Sequence, residues 1–327
     1  MSPITQIVPA LLVAFFVVSP LDGGNPRLLS VERIWDRADH SAFTDLIRYR
    51  GEWFCVFREG KQHAHGDTGR IRILRSRDAQ TWESAALLEK DGVDLRDPKL
   101  STRPDGQLML LAGGSVYDGE GFLTRRPQVS FSPDGRSWSA LQPVLAEEHW
   151  LWRATWFQGT AYSVSKMGDS KDTRRVILYS SKDGIHWNWV TVFRKIPAWP
   201  NETTLRFLPD GEMVALLRRN KTGWIGTSRP PYKDWTWHDT GHRLGGPNFI
   251  RLPNGELWAG SRSYGDEHRT VLARMTQTTY EPVLTLPSGG DTSYPGMVWH
   301  QGLLWMSYYS SHEGKSSIYL ARIQFEP

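Results

Sequence analysis

The stretch Phe207–Asn220, FLPDGEMVALLRRN, contains an apolar lead-in, a Pro-Asp-Gly turn, an apolar run and an arginine seven residues after the turn glycine. The stretch Arg251–Ser263, RLPNGELWAGSRS, repeats these features in the same order. Glycine accepts a positive φ and Asp or Asn tolerates the adjoining turn, so both sequences are typical of tight connections between β-strands. Each stretch therefore predicts a β-hairpin that ends in a cation.

The hairpin pattern recurs along the whole chain. Successive turn glycines are 55, 53, 52, 44 and 47 residues apart, and they are Gly51, Gly106, Gly159, Gly211, Gly255 and Gly302. Six β-rich units of similar length without helical periodicity predict an all-β fold, a six-bladed β-propeller of four-stranded antiparallel blades. The last unit has little sequence after its hairpin, so we expect Leu28–Asp36 to supply its outer strand and close the ring.

A second motif follows the hairpins of the first four units. The sequence between Ser and Trp forms a turn in which an Asp carboxylate can accept backbone N–H groups. The copies are SRDAQTW (Ser76–Trp82), SPDGRSW (Ser132–Trp138), SKDGIHW (Ser181–Trp187) and the degenerate SRPPYKDW (Ser228–Trp235). We interpret these turns as structural, with each tryptophan filling space between neighbouring sheets.

Composition limits the functional classes. The 327 residues carry a net charge of +4 and no run of basic residues, which argues against a nucleic-acid partner. The single cysteine, Cys55, cannot form an internal disulfide. The apolar segment Ile7–Val18 has the length of a signal peptide and is too short to span a membrane, and no other segment could cross one. We expect residues 1–24 to be a signal peptide, residues 25–327 to be one propeller domain, and the product to be a secreted or periplasmic monomer.

Counting from each turn places candidate site residues around the channel. Residues equally distant from a hairpin turn lie opposite each other, so Arg58 is expected opposite Phe43 and Arg218 opposite Glu202. The same register predicts that six residues surround one mouth, namely Arg58, Arg218, Arg262, Asp97, Glu202 and Tyr294. Two residues further along the inner strands come Asp45, Lys99, Arg153 and Asn248. Clustered guanidinium groups suit an anionic ligand, because they match a carboxylate bidentately.

The chain resembles the sialidase (neuraminidase) superfamily of propellers, which contain BNR repeats, also called Asp-boxes. The resemblance covers nearly the whole chain after residue 30. It rests on SPDGRSW and SKDGIHW, on NETTLRFLPDGEMVALLRR, on GELWAGSR and on DTSYPGMVWHQG. Glu202, Arg218, Arg262 and Tyr294 fall on the ordered Glu, Arg, Arg and Tyr positions of that superfamily.

The resemblance implies an exo-acting glycoside hydrolase on a terminal acidic sugar such as sialic acid, with no cofactor or metal. It implies that Tyr294 is the nucleophile, that Glu202 is its base, and that an arginine cluster binds the substrate carboxylate. It also implies an acid/base aspartate on a first-blade loop, where Asp67 stands in EGKQHAHGDTGR. An acidic glycan or glycoconjugate is then the expected partner.

Two departures from the superfamily leave questions open. Ala42 or Phe43 stands where the superfamily has a third arginine, so either Arg58 supplies that guanidinium or the triad is incomplete. His63 and His65 lie in the loop of Asp67, where they could contact substrate, tune Asp67 or replace it as proton donor. Asp97 is another candidate for acid/base, or else an ion-pair partner of Arg58.

Two other functions compete with hydrolysis. A polysaccharide lyase on uronic-acid glycans would use a histidine or tyrosine as base, and would draw on His63, His65, Arg153 and Tyr294. A non-catalytic glycan-binding propeller would use aromatic platforms for stacking, and the candidates are Trp150, Trp152, Trp199 and Tyr264. Release of an acidic sugar, formation of an unsaturated product, or binding without turnover separates the three.

Overall fold

The computed structural model describes residues 24–64, 69–119, 121–168, 170, 174–193 and 196–326. Residues 1–23 of the expected signal peptide lie outside this range. The described residues form 25 β-strands in six antiparallel sheets. This arrangement confirms the predicted all-β six-bladed propeller. Within the described residues, no helix has the length and apolar character needed to cross a membrane.

Each blade is a meander that starts at the channel and runs outward. Blade one consists of β2 (His40–Tyr49), β3 (Glu52–Gly60), β4 (Arg70–Ser76) and β5 (Glu83–Leu88). Blade two consists of β6 (Asp94–Thr102), β7 (Leu108–Asp118), β8 (Gly121–Ser132) and β9 (Gln142–Pro143). Blade three consists of β10 (Trp150–Leu151), β11 (Thr155–Phe157), β12 (Thr160–Met167), β13 (Arg175–Ser181) and β14 (Trp187–Val192), and its inner strand is split between β10 and β11.

The remaining blades follow the same plan. Blade four consists of β15 (Thr203–Phe207), β16 (Met213–Leu217), β17 (Thr222–Ser228) and β18 (Thr236–Arg243). Blade five consists of β19 (Asn248–Arg251), β20 (Leu257–Tyr264), β21 (His268–Met275) and β22 (Tyr280–Thr285). Blade six consists of β23 (Thr292–His300), β24 (Leu303–Ser310), β25 (Ser317–Glu326) and the first strand of the chain, β1 (Asn25–Trp35).

The N-terminal strand closes the ring, as the sequence predicts. β1 pairs antiparallel with β25, from Asn25 opposite Glu326 to Trp35 opposite Ile318. Joining the first and last segments of the chain in one sheet leaves no unpaired gap between blades six and one, which protects the edge strands.

The Ser-to-Trp turns join neighbouring blades. In the second turn, the Asp134 carboxylate accepts hydrogen bonds from the backbone N–H groups of Arg136 and Ser137, both at 2.8 Å. The Trp138 indole donates to the Gly135 carbonyl and packs in an apolar cluster shared by blades one and two. A Cβ on Gly135 would lie 2.4 Å from the Phe54 ring of blade one, so glycine allows this close approach. The core therefore lies between the sheets. The Ser-to-Trp turns stabilise it on the face that carries the hairpin turn glycines, opposite the channel mouth with Tyr294.

Candidate active site

Bulges in the inner strands direct side chains into the mouth of the channel. β2, β6 and β23 each shift register near their first residues, between Ala42 and Asp45, Arg96 and Lys99, and Ser293 and Gly296. A residue inside each bulge has a left-handed backbone: φ is 65° at Phe43, 51° at Asp97 and 51° at Tyr294. Bulges of this kind redirect a side chain and occur beside active sites.

The bulges also correct the predicted register by one residue. Arg58 lies opposite Ala42 rather than the expected Phe43, and Tyr309 lies opposite Ser293, one residue before Tyr294. Straight counting fails because the extra residue in each inner strand has no partner. In blade four the counted pair does meet, since the Arg218 N–H donates to the Glu202 carbonyl at 2.9 Å.

Tyr294, Glu202 and Arg218 form the centre of the site. The Tyr294 hydroxyl donates to Glu202 Oε1 at 2.7 Å. Arg218 Nη1 donates to both Glu202 oxygens at 2.8 Å and to the Tyr294 oxygen at 3.1 Å. Tyr294 and Glu202 are each only 7% exposed. The three residues come from blades six and four, so the ring itself brings them together.

The electrostatics of this group keep the carboxylate ionised and the phenol neutral. Burial would raise the pKa of Glu202, but the charges of Arg218 and Lys166 and the hydrogen bonds from Tyr294 and Arg218 lower it below its ordinary value. Burial and the Glu202 charge raise the pKa of Tyr294 well above that of a free phenol. Burial lowers the pKa of Lys166 to about 8, against the opposing charge of Glu202. Glu202 is therefore a base positioned to accept the phenol proton.

Aromatic rings fix the orientation of Tyr294. Its ring centroid lies 5.1 Å from that of Phe43 and 5.7 Å from that of Trp152, both edge-on. The Tyr309 ring lies 6.0 Å away. A Cβ on Gly246 would lie 2.5 Å from the Tyr294 ring, and Gly246 has a φ of 59°. The phenol therefore has little freedom apart from its hydroxyl.

Arg262 belongs to a second group on the same mouth. Its Nη2 donates to Asp291 Oδ1 at 3.0 Å and to the Tyr309 oxygen at 2.9 Å, and its Nε donates to the Thr292 carbonyl. The Tyr309 hydroxyl donates to the same Asp291 oxygen at 2.8 Å. The other oxygen, Asp291 Oδ2, lies 2.6 Å from His63 Nδ1.

A second imidazole completes the Asp291 cluster. His40 Nε2 lies 3.4 Å from Asp291 Oδ2. Burial would raise the pKa of Asp291, but hydrogen bonds from His40 and His63 and the charges of His63 and Arg262 lower it below its usual range. Donor atoms of His40, His63 and Asp291 lie within 4.8 Å of one another, the convergence that a metal ion would need. The Arg262 guanidinium on the same carboxylate opposes a cation there, so we do not assign a metal to these residues.

Arg58 has no face available to a substrate, which corrects its expected role. Its side chain is fully buried, and its Nε and Nη2 donate to Asp94 Oδ1 at 2.9 and 2.8 Å. Its Nη1 donates to the Gln62 carbonyl, and the Gly69 N–H donates to the same Asp94 oxygen. The ion pair with Asp94 anchors both ends of the loop after β3. The third guanidinium of the superfamily therefore has no counterpart in Arg58.

Asp45 and Arg153 neutralise each other below the mouth. Arg153 Nη1 donates to both Asp45 oxygens at 2.8 and 2.7 Å, and both side chains are buried. Asp45 also accepts the Leu100 N–H, and Lys99 Nζ donates to the Thr44 carbonyl. This layer holds the inner strands of blades one, two and three together, rather than contacting a ligand as expected.

Asp97 does reach the channel. It interacts electrostatically with both Glu202 and Tyr294, and burial raises its pKa against the charges of Lys99 and Arg96. Its Oδ1 is buried without a hydrogen-bond partner among the described residues. It does not pair with Arg58, the alternative that the sequence left open. Asp67 and His65 lie outside the described residues.

Sequence reasoning missed several members of the site. Asp291, Tyr309 and Lys166 lie around the group of Tyr294, Glu202 and Arg218, yet their residue types alone do not distinguish them from surface or core residues. Lys166 and Tyr309 do lie seven residues after their turn glycines, as Arg218 and Arg262 do, and Asp291 lies three residues before Tyr294 in DTSYPG. Trp150 and Trp152, considered as stacking platforms, are instead buried in the core around blade one.

Comparison with known proteins relates this fold to glycosidase propellers. Neither protein-family models nor curated proteins give a match to this chain. Among solved structures, a Dyadobacter fermentans protein of unknown function is 19% identical with a TM-score of 0.81, covering 92% of this chain and all of that one.

Two other solved structures are enzymes. The Trypanosoma rangeli sialidase in complex with sialic acid is 12% identical with a TM-score of 0.69, covering 90% of this chain and 57% of that one. The Fusarium graminearum α-L-arabinofuranosidase Arb93A, bound to an iminosugar inhibitor, is 14% identical with a TM-score of 0.70, covering 91% of this chain and 98% of that one. Identities this low establish a shared fold. The chain therefore has a propeller fold like that of these glycosidases, with a phenol, a carboxylate and two guanidinium groups at its mouth.

Proposed function

We propose that this protein is an exo-acting glycoside hydrolase of sialidase type, which cleaves a terminal acidic sugar through a covalent intermediate on Tyr294. The observation that carries the proposal is the 2.7 Å hydrogen bond from the Tyr294 hydroxyl to the ionised Glu202. A neutral phenol is a weak nucleophile, and an adjacent base that takes its proton during attack corrects this weakness.

The use of a tyrosine is informative about the substrate. A carboxylate nucleophile would repel a substrate that carries its own carboxylate near the reacting carbon. A phenol avoids that repulsion, because it is uncharged until the proton passes to Glu202. The Tyr294 and Glu202 pair therefore favours an anionic sugar over a neutral one.

Arg218 and Arg262 are the groups that would receive the carboxylate. Both are partly exposed, and the charges of both act on Tyr294. Lys166 adds a third cation beside Glu202. Glu202, Asp291 and Asp97 lie beside these three cations. Burial raises the pKa of Asp97, and its protonation would leave an excess positive charge that an anionic substrate can balance.

A second candidate is a glycosidase that acts on a neutral sugar. It is favoured by Asp291, which already pairs with Arg262, and by Phe43, which stands where the superfamily has an arginine. The structural similarity to an arabinofuranosidase is consistent with this alternative.

A panel of aryl glycosides separates the two candidates. The panel contains a sialoside, a glucuronide, an arabinofuranoside and neutral hexosides, and kcat/KM is measured for each. We expect the highest value for an acidic sugar, and Arg218→Ala should lower that value while leaving neutral substrates as poor as before. Exclusive cleavage of the arabinofuranoside would establish the second candidate, and no cleavage of any glycoside would refute both.

A further inference from the structure

The proposed hydrolysis needs a proton donor for the departing group, and the structure offers an Asp–His pair for this role. We propose that His63, oriented by Asp291, is the general acid/base of the reaction. The inference rests on the proposed function and assigns a catalytic role to a residue that the resemblance does not specify.

Asp291 determines which nitrogen of His63 is available for chemistry. His63 Nδ1 lies 2.6 Å from Asp291 Oδ2, while Arg262 and Tyr309 occupy the other carboxylate oxygen. The ionised Asp291 has no proton to donate, so Nδ1 must carry the hydrogen of this bond. Proton transfer is then left to His63 Nε2, the arrangement by which an aspartate orients a catalytic imidazole.

The position of His63 suits the leaving-group side of a bound sugar. Its ring packs edge-on against Phe43 at 4.9 Å, and Phe43 packs edge-on against Tyr294 at 5.1 Å. One phenyl ring therefore separates the imidazole from the nucleophile. The His63 side chain is 52% exposed, whereas Glu202 is nearly buried. In an exo-acting enzyme the leaving group points to solvent, so its proton donor should lie at the exposed rim.

Three charged or titratable groups face His63. They are the Asp291 carboxylate at 2.6 Å, the His40 imidazole on the same carboxylate oxygen, and the Arg262 guanidinium beyond that carboxylate. Asp291 contacts His63 directly through this hydrogen bond. Asp291 is therefore a positioning residue, and His63 is the residue that would touch substrate.

The proton inventory closes over two steps. First, Tyr294 Oη bonds to the anomeric carbon, its proton passes to Glu202, the bond to the leaving-group oxygen breaks, and that oxygen takes the proton of His63 Nε2. Second, His63 Nε2 takes a proton from water, whose oxygen bonds to the anomeric carbon. The bond to Tyr294 breaks, and Glu202 returns the proton to Oη. The net reaction is hydrolysis, with no other reagent.

Leaving-group dependence tests this role. An activated aryl group departs without a proton, whereas an alkyl or sugar alcohol requires one, so loss of the acid matters only for the second class. We expect His63→Gln to lower kcat/KM on an alkyl or disaccharide acidic glycoside by about 10²–10⁴-fold. On the corresponding 4-nitrophenyl glycoside, formation of the covalent intermediate should change little. Added azide should increase turnover of the aryl substrate by replacing the water that His63 activates.

The chain provides a matched control in His186. His186 Nδ1 lies 2.7 Å from Asp183 Oδ2, in a Ser-to-Trp turn on the face opposite the mouth. His186→Gln removes a similar Asp–His bond and should leave both substrates unaffected. Thermal melting of both variants verifies folding, and assays with and without EDTA test for a metal.

Four results would overturn the role of His63. They are equal losses on both substrates, no loss on either, the expected pattern in Asp67→Asn or Asp97→Asn instead, and a requirement for a divalent metal. Wild-type protein that cleaves no glycoside would refute the proposed function itself, and His63 with it. An active wild type with an unaffected His63→Gln variant would refute the inference alone.

Discussion

Replacing Tyr294 with phenylalanine removes one oxygen from the centre of the site. That oxygen donates to Glu202 at 2.7 Å and accepts from Arg218 at 3.1 Å. The ring contacts with Phe43 and Trp152 do not involve the hydroxyl, so the variant should retain the packing of the mouth.

The expected effects on stability and on catalysis differ greatly in size. Hydrogen bonds to charged groups contribute about 1.5–3 kcal/mol, but Glu202 keeps both bonds from Arg218, and phenylalanine has no hydroxyl to desolvate. We therefore expect a loss of about 1 kcal/mol, or about 1–2 °C in Tm for a chain of this length. Loss of a covalent nucleophile can lower kcat by about 10⁶-fold, and we expect at least about 10³-fold here.

Two assays and one control make this prediction decisive. Steady-state kinetics on an activated acidic glycoside measure kcat, and calorimetry with an unsaturated acidic sugar analogue measures binding, which should change little. Tyr309→Phe is the matched control, because Tyr309 is also buried and hydrogen-bonded but contacts Asp291 and Arg262 instead of Glu202. A Tyr294→Phe variant within tenfold of wild type, or a Tyr309→Phe variant with the same loss, would refute Tyr294 as nucleophile.

Three further predictions follow from the contacts around the site. Asp94→Asn should lower the free energy of unfolding by about 3–5 kcal/mol, because it leaves the buried Arg58 charge without its partner. Denaturant titration measures this free energy. A change in KM without destabilisation would contradict the structural role of the Asp94–Arg58 pair. Gly246→Ala should lower kcat with little loss of fold, because the new Cβ would overlap the Tyr294 ring. Near-ultraviolet circular dichroism should detect the displaced ring, and steady-state kinetics should detect the lower kcat. An unchanged kcat would argue against a fixed orientation of the phenol. Lys166 is cationic below its pKa of about 8 and neutral above it, so KM for an acidic substrate should rise as pH increases through 8. In Lys166→Arg this rise in KM should occur at a higher pH. A rise at the same pH would exclude Lys166 as its source.

The repeat was sufficient to predict the fold, because each blade contains a hairpin with similar turn residues and six such copies form a closed ring. The outer strand β1 was also predictable, since blade six ends too early to complete itself. The bulges were not, because a single extra residue at Phe43 or Tyr294 changes no pattern of apolar and polar residues. Gly246 occupies the equivalent position in blade five and also has a positive φ, of 59°.

The roles of individual arginines could not be assigned by counting. Arg58 and Arg262 occupy the same position relative to their turn glycines, yet one is fully buried on Asp94 and the other is partly exposed beside Asp291. The difference comes from partners that are remote in sequence. Asp94 opens the next blade and Asp291 opens the last, and only the closed ring places each against its arginine.

Charge balance at the mouth explains why the clustered arginines are stable without a bound substrate. Arg218 and Arg262 would repel each other if both were unpaired, but Glu202 and Asp291 each accept from one of them. These carboxylates are also the groups that the proposed hydrolysis requires, Glu202 as the base for Tyr294 and Asp291 as the partner of His63. We expect an incoming carboxylate to bind Arg218 Nη2 and Arg262 Nη1, because Glu202 and Asp291 accept from the other terminal nitrogen of each guanidinium. Asp291→Asn therefore tests both roles at once. It should lower kcat, because it weakens proton donation by His63. It should also lower KM, because it increases the positive charge available to an acidic substrate. A parallel rise in KM would mean that Asp291 serves mainly to hold Arg262 in place.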